Sequence, residues 1–186
     1  MNTVSKPVAA FSITSLALLL LPLTAAATLG GVAAAHVQFV ATGPAGLHIV
    51  GESAAVKLAD DGNAITIVVP LATLETGIGL RDRHMKEKYL EVAKYPNAEL
   101  VVERKTLRFP TGGAATSADG QGMFKLHGKQ KQVSFHYEAK PAAGGFDVTG
   151  KVHVKITDFG IEQPSYMGMS VKPDVDAEVK FHVQGN

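Results

Sequence analysis

The sequence contains no cysteine. This absence excludes disulfide bonds, thiolate metal sites, a cysteine nucleophile and a lipidated N-terminal cysteine. The folded chain must therefore be stabilised by packing and hydrogen bonding alone.

Clusters of like charge are also absent. Lys6 is the only charged residue before Ala27, and without it the chain carries 17 Lys and Arg against 17 Asp and Glu. The two signs alternate along the sequence instead of forming basic runs, which argues against a nucleic-acid partner.

Two segments begin like motifs of enzymes, but each lacks a residue that defines the motif. Residues 51–55 lack the closing glycine of a nucleophile elbow, and residues 77–82 have Asp82 where a dinucleotide fingerprint needs its third glycine. The sequence contains no paired-histidine zinc motif. We therefore predict no enzyme activity, no catalytic residue, no cofactor and no metal site.

Four histidines fall on the polar face of predicted strands. Two interpretations are open: a loose metal site, or solvent-facing side chains without a ligand. The second is favoured because the sequence fixes no partner at ligand spacing. The four are His127, His136, His153 and His182.

The N-terminus has the features of a secretory signal. Lys6 precedes an apolar run over residues 8–23, and small residues follow at 25–27. The run is short for a membrane span, which needs about 20 residues. We predict a signal peptide over residues 1–27 and a periplasmic or secreted protein. A second small-residue site at 33–35 would instead make His36 the first mature residue, and an uncleaved anchor is the third possibility.

The rest of the chain, residues 36–186, is predicted to be one domain of short antiparallel strands. Apolar and polar residues alternate strictly over residues 146–156, 133–140 and 175–183, and Gly, Pro, Asn and Asp mark turns between the strands. Further strands are predicted over residues 37–42 and 98–109, and the far half of the second is too polar for a core, so we expect it to extend beyond the rim. The alternation alone fits either a sandwich or a barrel.

One short helix interrupts the strands. Met85, Tyr89 and Val92 form an apolar stripe within residues 80–92. The strand at residues 64–74 is apolar on both faces, so we expect the helix or a loop to cover its outer side. Asp82 is predicted to cap the helix at its start.

Two segments carry residues in the pattern of a known family. The first, over the helix, has the pattern TG..RD.HL and the positions that follow it in Thr76, Gly77, Arg81, Asp82, His84, Met85, Tyr89, Leu90, Tyr95 and Pro96. The second has a hairpin and a DFGI segment in Leu126, Gly128, Lys129, Val133, Thr157, Asp158, Phe159, Gly160 and Ile161. Both segments resemble the motifs of the YceI-like family of secreted, lipocalin-like barrels that bind polyisoprenoid lipids.

The resemblance implies an all-β fold, an antiparallel lipocalin-like β-barrel of about eight strands with one short inserted helix. It also implies a carrier or sequestering protein that binds a long apolar isoprenoid lipid inside the barrel. The alternative is an interaction protein whose barrel is filled by its own side chains and which docks on the membrane surface or on a membrane redox partner of cytochrome b type.

The inward faces of the strands supply the candidate ligand-binding residues. Two polar residues, Arg81 and His84, are predicted either to anchor the helix with Asp82 or to meet a polar ligand head at the mouth. Residues 162–172, with Tyr166, Met167 and Met169, form either an apolar rim or a plain connection. The predicted set is Val37, Phe39, Leu47, Ile49, Arg81, His84, Phe124, Leu126, Phe135, Tyr137, Val152, Val154, Ile156, Val179 and Phe181.

Overall fold

A computed structural model describes residues 29–166 and 168–184. The predicted signal peptide and Met167 lie outside the described residues. Within the described part, no helix has the length and the apolar character needed to cross a membrane.

The chain is built almost entirely of antiparallel strands joined by short turns. The strands are β1 (Val32–Thr42), β2 (His48–Ser53), β3 (Lys57–Asp60), β4 (Ala64–Pro70), β5 (Asn97–Glu103), β6 (Thr116–Leu126), β7 (Lys129–Ala142), β8 (Gly145–Lys155), β9 (Ser165–Tyr166), β10 (Met169–Ser170) and β11 (Asp174–Gln184).

Nine of the strands form one curled sheet in the order β2-β1-β11-β8-β7-β6-β5-β4-β3. β9 and β10 make a separate small hairpin. The predicted all-β, lipocalin-like fold is therefore confirmed, with nine strands in the sheet where about eight were expected. In the described part of the chain no ladder joins the edge strands β2 and β3, so the sheet is a half-barrel rather than a fully hydrogen-bonded cylinder.

The inserted helix is shorter and less regular than predicted. α1 (Gly79–His84) continues directly as a π-helical turn over Met85–Tyr89, in which the Leu90 amide donates to the Met85 carbonyl at 2.8 Å. Met85 and Tyr89 pack on the core, as the stripe predicted.

Two details of the helix prediction are wrong. Asp82 does not cap the helix: the residue preceding the first turn is Ile78, and no side chain caps it. The outer side of β4 was expected to be covered by the helix or by a loop, and the helix does not cover it. Its apolar residues Met85, Tyr89 and Leu90 face the interior of the barrel, where they close part of one end.

Asp60 joins three parts of the chain at the opposite end of the barrel. Its Oδ2 accepts the backbone N–H of Leu29 at 2.8 Å and the Nε–H of Arg104 at 3.0 Å, and its Oδ1 accepts the N–H of Gly62 at 2.9 Å. Burial by itself would raise the pKa of this carboxyl, but these hydrogen bonds and the Arg104 charge lower it overall. The N-terminal segment is thereby held to the β3–β4 turn.

The outer face of the sheet carries ion pairs between strands. His136 contacts Asp119 at 2.8 Å, His182 contacts Asp147 at 2.9 Å, and His153 contacts carboxylates on β11. His127 is different. It lies in the β6–β7 turn with only 13% of its side chain exposed, so the prediction that it faces solvent is wrong.

Candidate functional site

The half-barrel encloses a cavity of about 870 Å³ lined almost wholly by apolar side chains. This volume is near the upper part of the range of about 300 to 1,000 Å³ that is usual for small-molecule sites. Its apolar walls offer few hydrogen-bond partners to water, so the cavity favours a nonpolar ligand. Its lining suits a hydrocarbon chain.

The alternation of side chains along each strand determines which residues line the cavity. Residues two apart on β1, β8 and β11 point into the cavity, while residues between them form outer ion pairs, such as His153 with Asp176. The antiparallel registers align these inner rows from strand to strand, for example Val152 with Ala177 and Phe135 with Val152.

Every residue of the predicted binding set lies in the lining of this one cavity. Their part in holding a ligand stays a prediction. By element they are Val37 and Phe39 on β1, Leu47 and Ile49 at β2, Arg81 and His84 on α1, Phe124 and Leu126 on β6, Phe135 and Tyr137 on β7, Val152 and Val154 on β8, Ile156 after β8, and Val179 and Phe181 on β11.

The sequence interpretation missed the contribution of β4, β5 and the helix. The alternation within residues 64–70 was a usable signal, but it was obscured by apolar residues on the other face of β4. The apolar stripe of the helix predicted that Met85 and Tyr89 are packed, but not that they line the cavity, because the orientation of the helix depends on tertiary docking. The missed lining residues include Ile65, Ile67, Val69, Leu100, Val102, Met85, Tyr89 and Leu90.

The cavity opens at the end of the barrel that carries the helix. Four apolar side chains line it there and are also more than half exposed to solvent: Leu47 at 60%, Ile78 at 53%, Leu80 at 57% and Met169 at 53%. We call these four residues the apolar rim.

A hydrogen-bonded cluster fixes the segment that leads into α1. Asp82 accepts the Thr76 N–H at 2.8 Å and also the Thr76 hydroxyl, while Arg81 donates to the Thr76 hydroxyl and carbonyl, both at 2.7 Å. Partial burial raises the pKa of Asp82, but the Thr76 hydrogen bonds and the Lys86 and Arg81 charges lower it overall. Arg81 and Asp82 therefore anchor the rim segment, and Arg81 lines the cavity as well.

A second set of contacts, around His127, fixes the position of the segment that follows the helix. His127 Nε2 lies 2.6 Å from Glu91 Oε2, its Nδ1 lies 3.3 Å from the Phe159 carbonyl, and its ring meets that of Tyr95 edge-on at 4.5 Å. These contacts link the segment after the helix to the β6–β7 turn and to the segment after β8.

The opposite end of the cavity is covered by the segment that follows β5. The Tyr137 hydroxyl accepts the Arg108 N–H at 2.6 Å and donates to the Arg108 carbonyl at 3.2 Å. Leu107, Phe109 and Pro110 line the cavity beside it. The sequence predicted that this polar stretch extends beyond the rim as strand. Instead, β5 ends at Glu103 and the chain folds back against the lumen.

The fold and the cavity define a class of protein: lipocalin-like antiparallel half-barrels with an apolar interior. The model of the YceI-like domain matches residues 23–184, so the chain belongs to the YceI-like family. A search among curated proteins found no match.

Solved structures with the same fold have low sequence identity to this chain. A polyisoprenoid-binding domain from Saccharophagus degradans has a TM-score of 0.71 at 14% identity, over 87% of this chain and 99% of that one. BcnA from Burkholderia cenocepacia has a TM-score of 0.62 at 15% identity, over 82% and 96%. A Campylobacter jejuni YceI protein has a TM-score of 0.54 at 13% identity, over 74% and 85%. At such identities the likeness shows the fold alone.

Proposed function

We propose that this protein is a periplasmic or secreted, non-enzymatic carrier that holds one long isoprenoid-type lipid in the barrel. The observation that carries the proposal is the continuous apolar cavity of about 870 Å³, open at the apolar rim. Membership of the YceI-like family and the polyisoprenoid-binding neighbour support the same ligand class.

Binding in such a cavity needs no catalytic group. Each methylene that leaves water contributes about 0.8 kcal/mol, so a long hydrocarbon chain gains affinity from burial alone. A ligand of this kind would lie along the inner rows of the strands, with its polar end at the mouth, where Arg81 and exposed His84 line the cavity.

The alternative function, docking of a solid barrel on a membrane redox partner, requires a filled interior. The cavity favours the carrier. A solid barrel would instead pack its inner side chains against one another and leave no volume for a ligand.

The direct test is extraction of the protein purified from its native compartment without detergent. Organic extraction followed by mass spectrometry should recover an isoprenoid at close to one molecule per chain. The protein stripped of lipid should then take up geranylgeraniol from octyl glucoside micelles. An empty extract together with no uptake of geranylgeraniol would contradict the carrier.

A further inference from the structure

Large apolar side chains are exposed mainly at the cavity mouth. Six such side chains are exposed in the described part of the chain, and four of them form the apolar rim. The other two, Val50 and Met123, lie on β2 and β6 and do not line the cavity. A concentration of exposed apolar surface on one site marks a contact with a nonpolar partner.

The rim is assembled from three separate segments that are fixed to one another. The Lys172 amide donates to the Thr42 carbonyl at 2.7 Å, which joins the segment carrying Met169 to the β1–β2 turn beside Leu47. Glu52 and Glu75 exchange two backbone hydrogen bonds of 2.9 Å, which join β2 to the segment that leads to Ile78 and Leu80. The exposed side chains are therefore held in place by the fold.

Basic residues accompany the rim. The helical segment from Gly79 to Tyr89 carries four Lys and Arg against two acidic residues. Thr76 engages one residue of each sign, Arg81 and Asp82, which leaves three basic residues against Glu87. Glu75 and Glu162 lie in the flanking loops, together with Lys172. The chain after residue 27 is neutral as a whole, so the excess of positive charge on this helix is local.

We propose that the apolar rim is a membrane-contact surface that inserts into the interface of an anionic phospholipid bilayer. Apolar side chains enter the boundary between headgroups and acyl chains, and the basic helix meets the anionic headgroups. The cavity mouth then faces the acyl chains, and an isoprenoid passes between bilayer and barrel without crossing water. This inference rests on the proposed function, because the cargo is the lipid assigned there.

The experiment is co-sedimentation of the protein, begun at Thr28, with vesicles of phosphatidylglycerol and phosphatidylcholine, and with vesicles of phosphatidylcholine alone. The rim variant is Leu80→Asp with Met169→Asp. The matched control is Val50→Asp with Met123→Asp, which adds the same charge and removes exposed apolar side chains from the outer wall. Binding of the rim variant to the anionic vesicles should fall by about tenfold or more, whereas the control should stay close to the parent protein.

A second variant separates apolar contact from added charge. Leu80→Ser with Met169→Ser removes the apolar side chains without adding negative charge, and it should also weaken vesicle binding. Circular dichroism melts of all variants check that each is folded. The proposal would be overturned if the rim variant and the outer-wall control lost vesicle binding equally, or if neither lost it.

Two further measurements distinguish a membrane surface from a dimer interface and from the carrier function. If the parent protein forms dimers in sedimentation velocity and the rim variant is monomeric, the rim is an interface between two copies and the membrane proposal fails. Uptake of geranylgeraniol from micelles by the parent protein tests the carrier function separately. Vesicle binding without such uptake would refute the carrier and leave the membrane surface standing.

Discussion

The ring of Phe135 lies over Gly120, its cross-strand partner on β6. A Cβ atom at position 120 would come within 2.5 Å of Phe135 Cζ, so only glycine leaves room for the ring in this position. Phe39 lies over Gly51 in the same way, across the β1–β2 pair. Glycine in a strand interior often marks such a close approach. Two of the largest side chains of the lining are thereby accommodated against the wall, and the lumen stays open.

This arrangement predicts the effect of Gly120→Ala. The new methyl group must displace the Phe135 ring toward the lumen, so we expect a loss of about 1 to 3 kcal/mol in the free energy of unfolding and a lower capacity for geranylgeraniol. Urea unfolding and uptake from micelles measure the two effects. Gly79→Ala is the control, because nothing lies within 4 Å of its added Cβ. If both variants behave alike, the ring contact does not set the cavity.

The alternation of apolar and polar residues made most of the sheet predictable, but it did not predict the start of β1. The strand begins at Val32, although the prediction began it at Val37. Residues 32–35 are mostly alanine, which carries little contrast between faces. Ala34 also has φ of +51°, and the register with β11 shifts between Ala33 and His36. A bulge of this kind removes the two-residue period on which the prediction depends.

Contacts between distant segments could not be predicted from the local pattern. Asp82 follows the start of the helix, which suggested a cap, but its partner is Thr76, six residues earlier. The polar residues 104–108 suggested a strand beyond the rim, but the Tyr137 hydroxyl holds Arg108 against the lumen. Each position is set by a hydrogen bond whose existence depends on the closed fold.

Tyr137→Phe tests the contact that covers the far end of the cavity. The variant leaves the Arg108 N–H and carbonyl without their partner, and we expect a cost of about 1 to 3 kcal/mol in the free energy of unfolding. Amide hydrogen exchange should accelerate in residues 107–109. Tyr89→Phe is the matched control, since the Tyr89 hydroxyl has no hydrogen bond to the described residues. Unchanged exchange in residues 107–109 would show that the hydroxyl does not hold them.

His153 predicts a pH dependence of stability. Its hydrogen bond to Asp176 at 2.8 Å, assisted by Asp174 at 3.3 Å, raises the pKa of His153 above its ordinary value of 6.5 despite partial desolvation. The folded state thus binds the proton more tightly than the unfolded chain. The added stability is complete below about pH 6.5 and is lost as the pH rises through the folded pKa.

We therefore expect the melting temperatures of the parent protein and His153→Gln to differ more at pH 6 than at pH 8.5. The difference should be small, because the pair is exposed and screened by solvent. His48→Gln provides the control, since His48 is exposed and has no ion pair with the described residues. A difference that is the same at both pH values would contradict the assignment.

The contacts of Leu29 favour cleavage of the predicted leader after Ala27. The Leu29 amide donates to Asp60, and the Gly30 amide donates to the Gln184 carbonyl at 3.0 Å. A mature chain that begins at His36 loses both contacts and the start of β1. We expect N-terminal sequencing of the exported protein to read Thr28. A recombinant chain begun at His36 should be less stable by about 1 to 3 kcal/mol than one begun at Thr28, as measured by urea unfolding. Met1 on protein recovered from the envelope would rule out cleavage.

Val152 and Val154 provide a paired test of whether the lumen holds ligand. Both lie on the inner face of β8, two residues apart, and both line the cavity. Val154 is 8% exposed and belongs to the buried cluster with Phe159 and Ile161, whereas Val152 is only partly buried. A larger side chain would therefore contact packed neighbours at position 154 and would extend into open volume at position 152.

Val152→Phe should narrow the cavity and reduce uptake of geranylgeraniol. The melting temperature should change little, because the ring occupies volume that is otherwise available to lipid. Val154→Phe should overpack the buried cluster and lower the free energy of unfolding by about 1 to 3 kcal/mol. Thermal melts and lipid extraction of the two variants and the parent separate these effects. If Val152→Phe is as destabilised as Val154→Phe and the parent yields no lipid, the interior is a filled core and the carrier hypothesis fails.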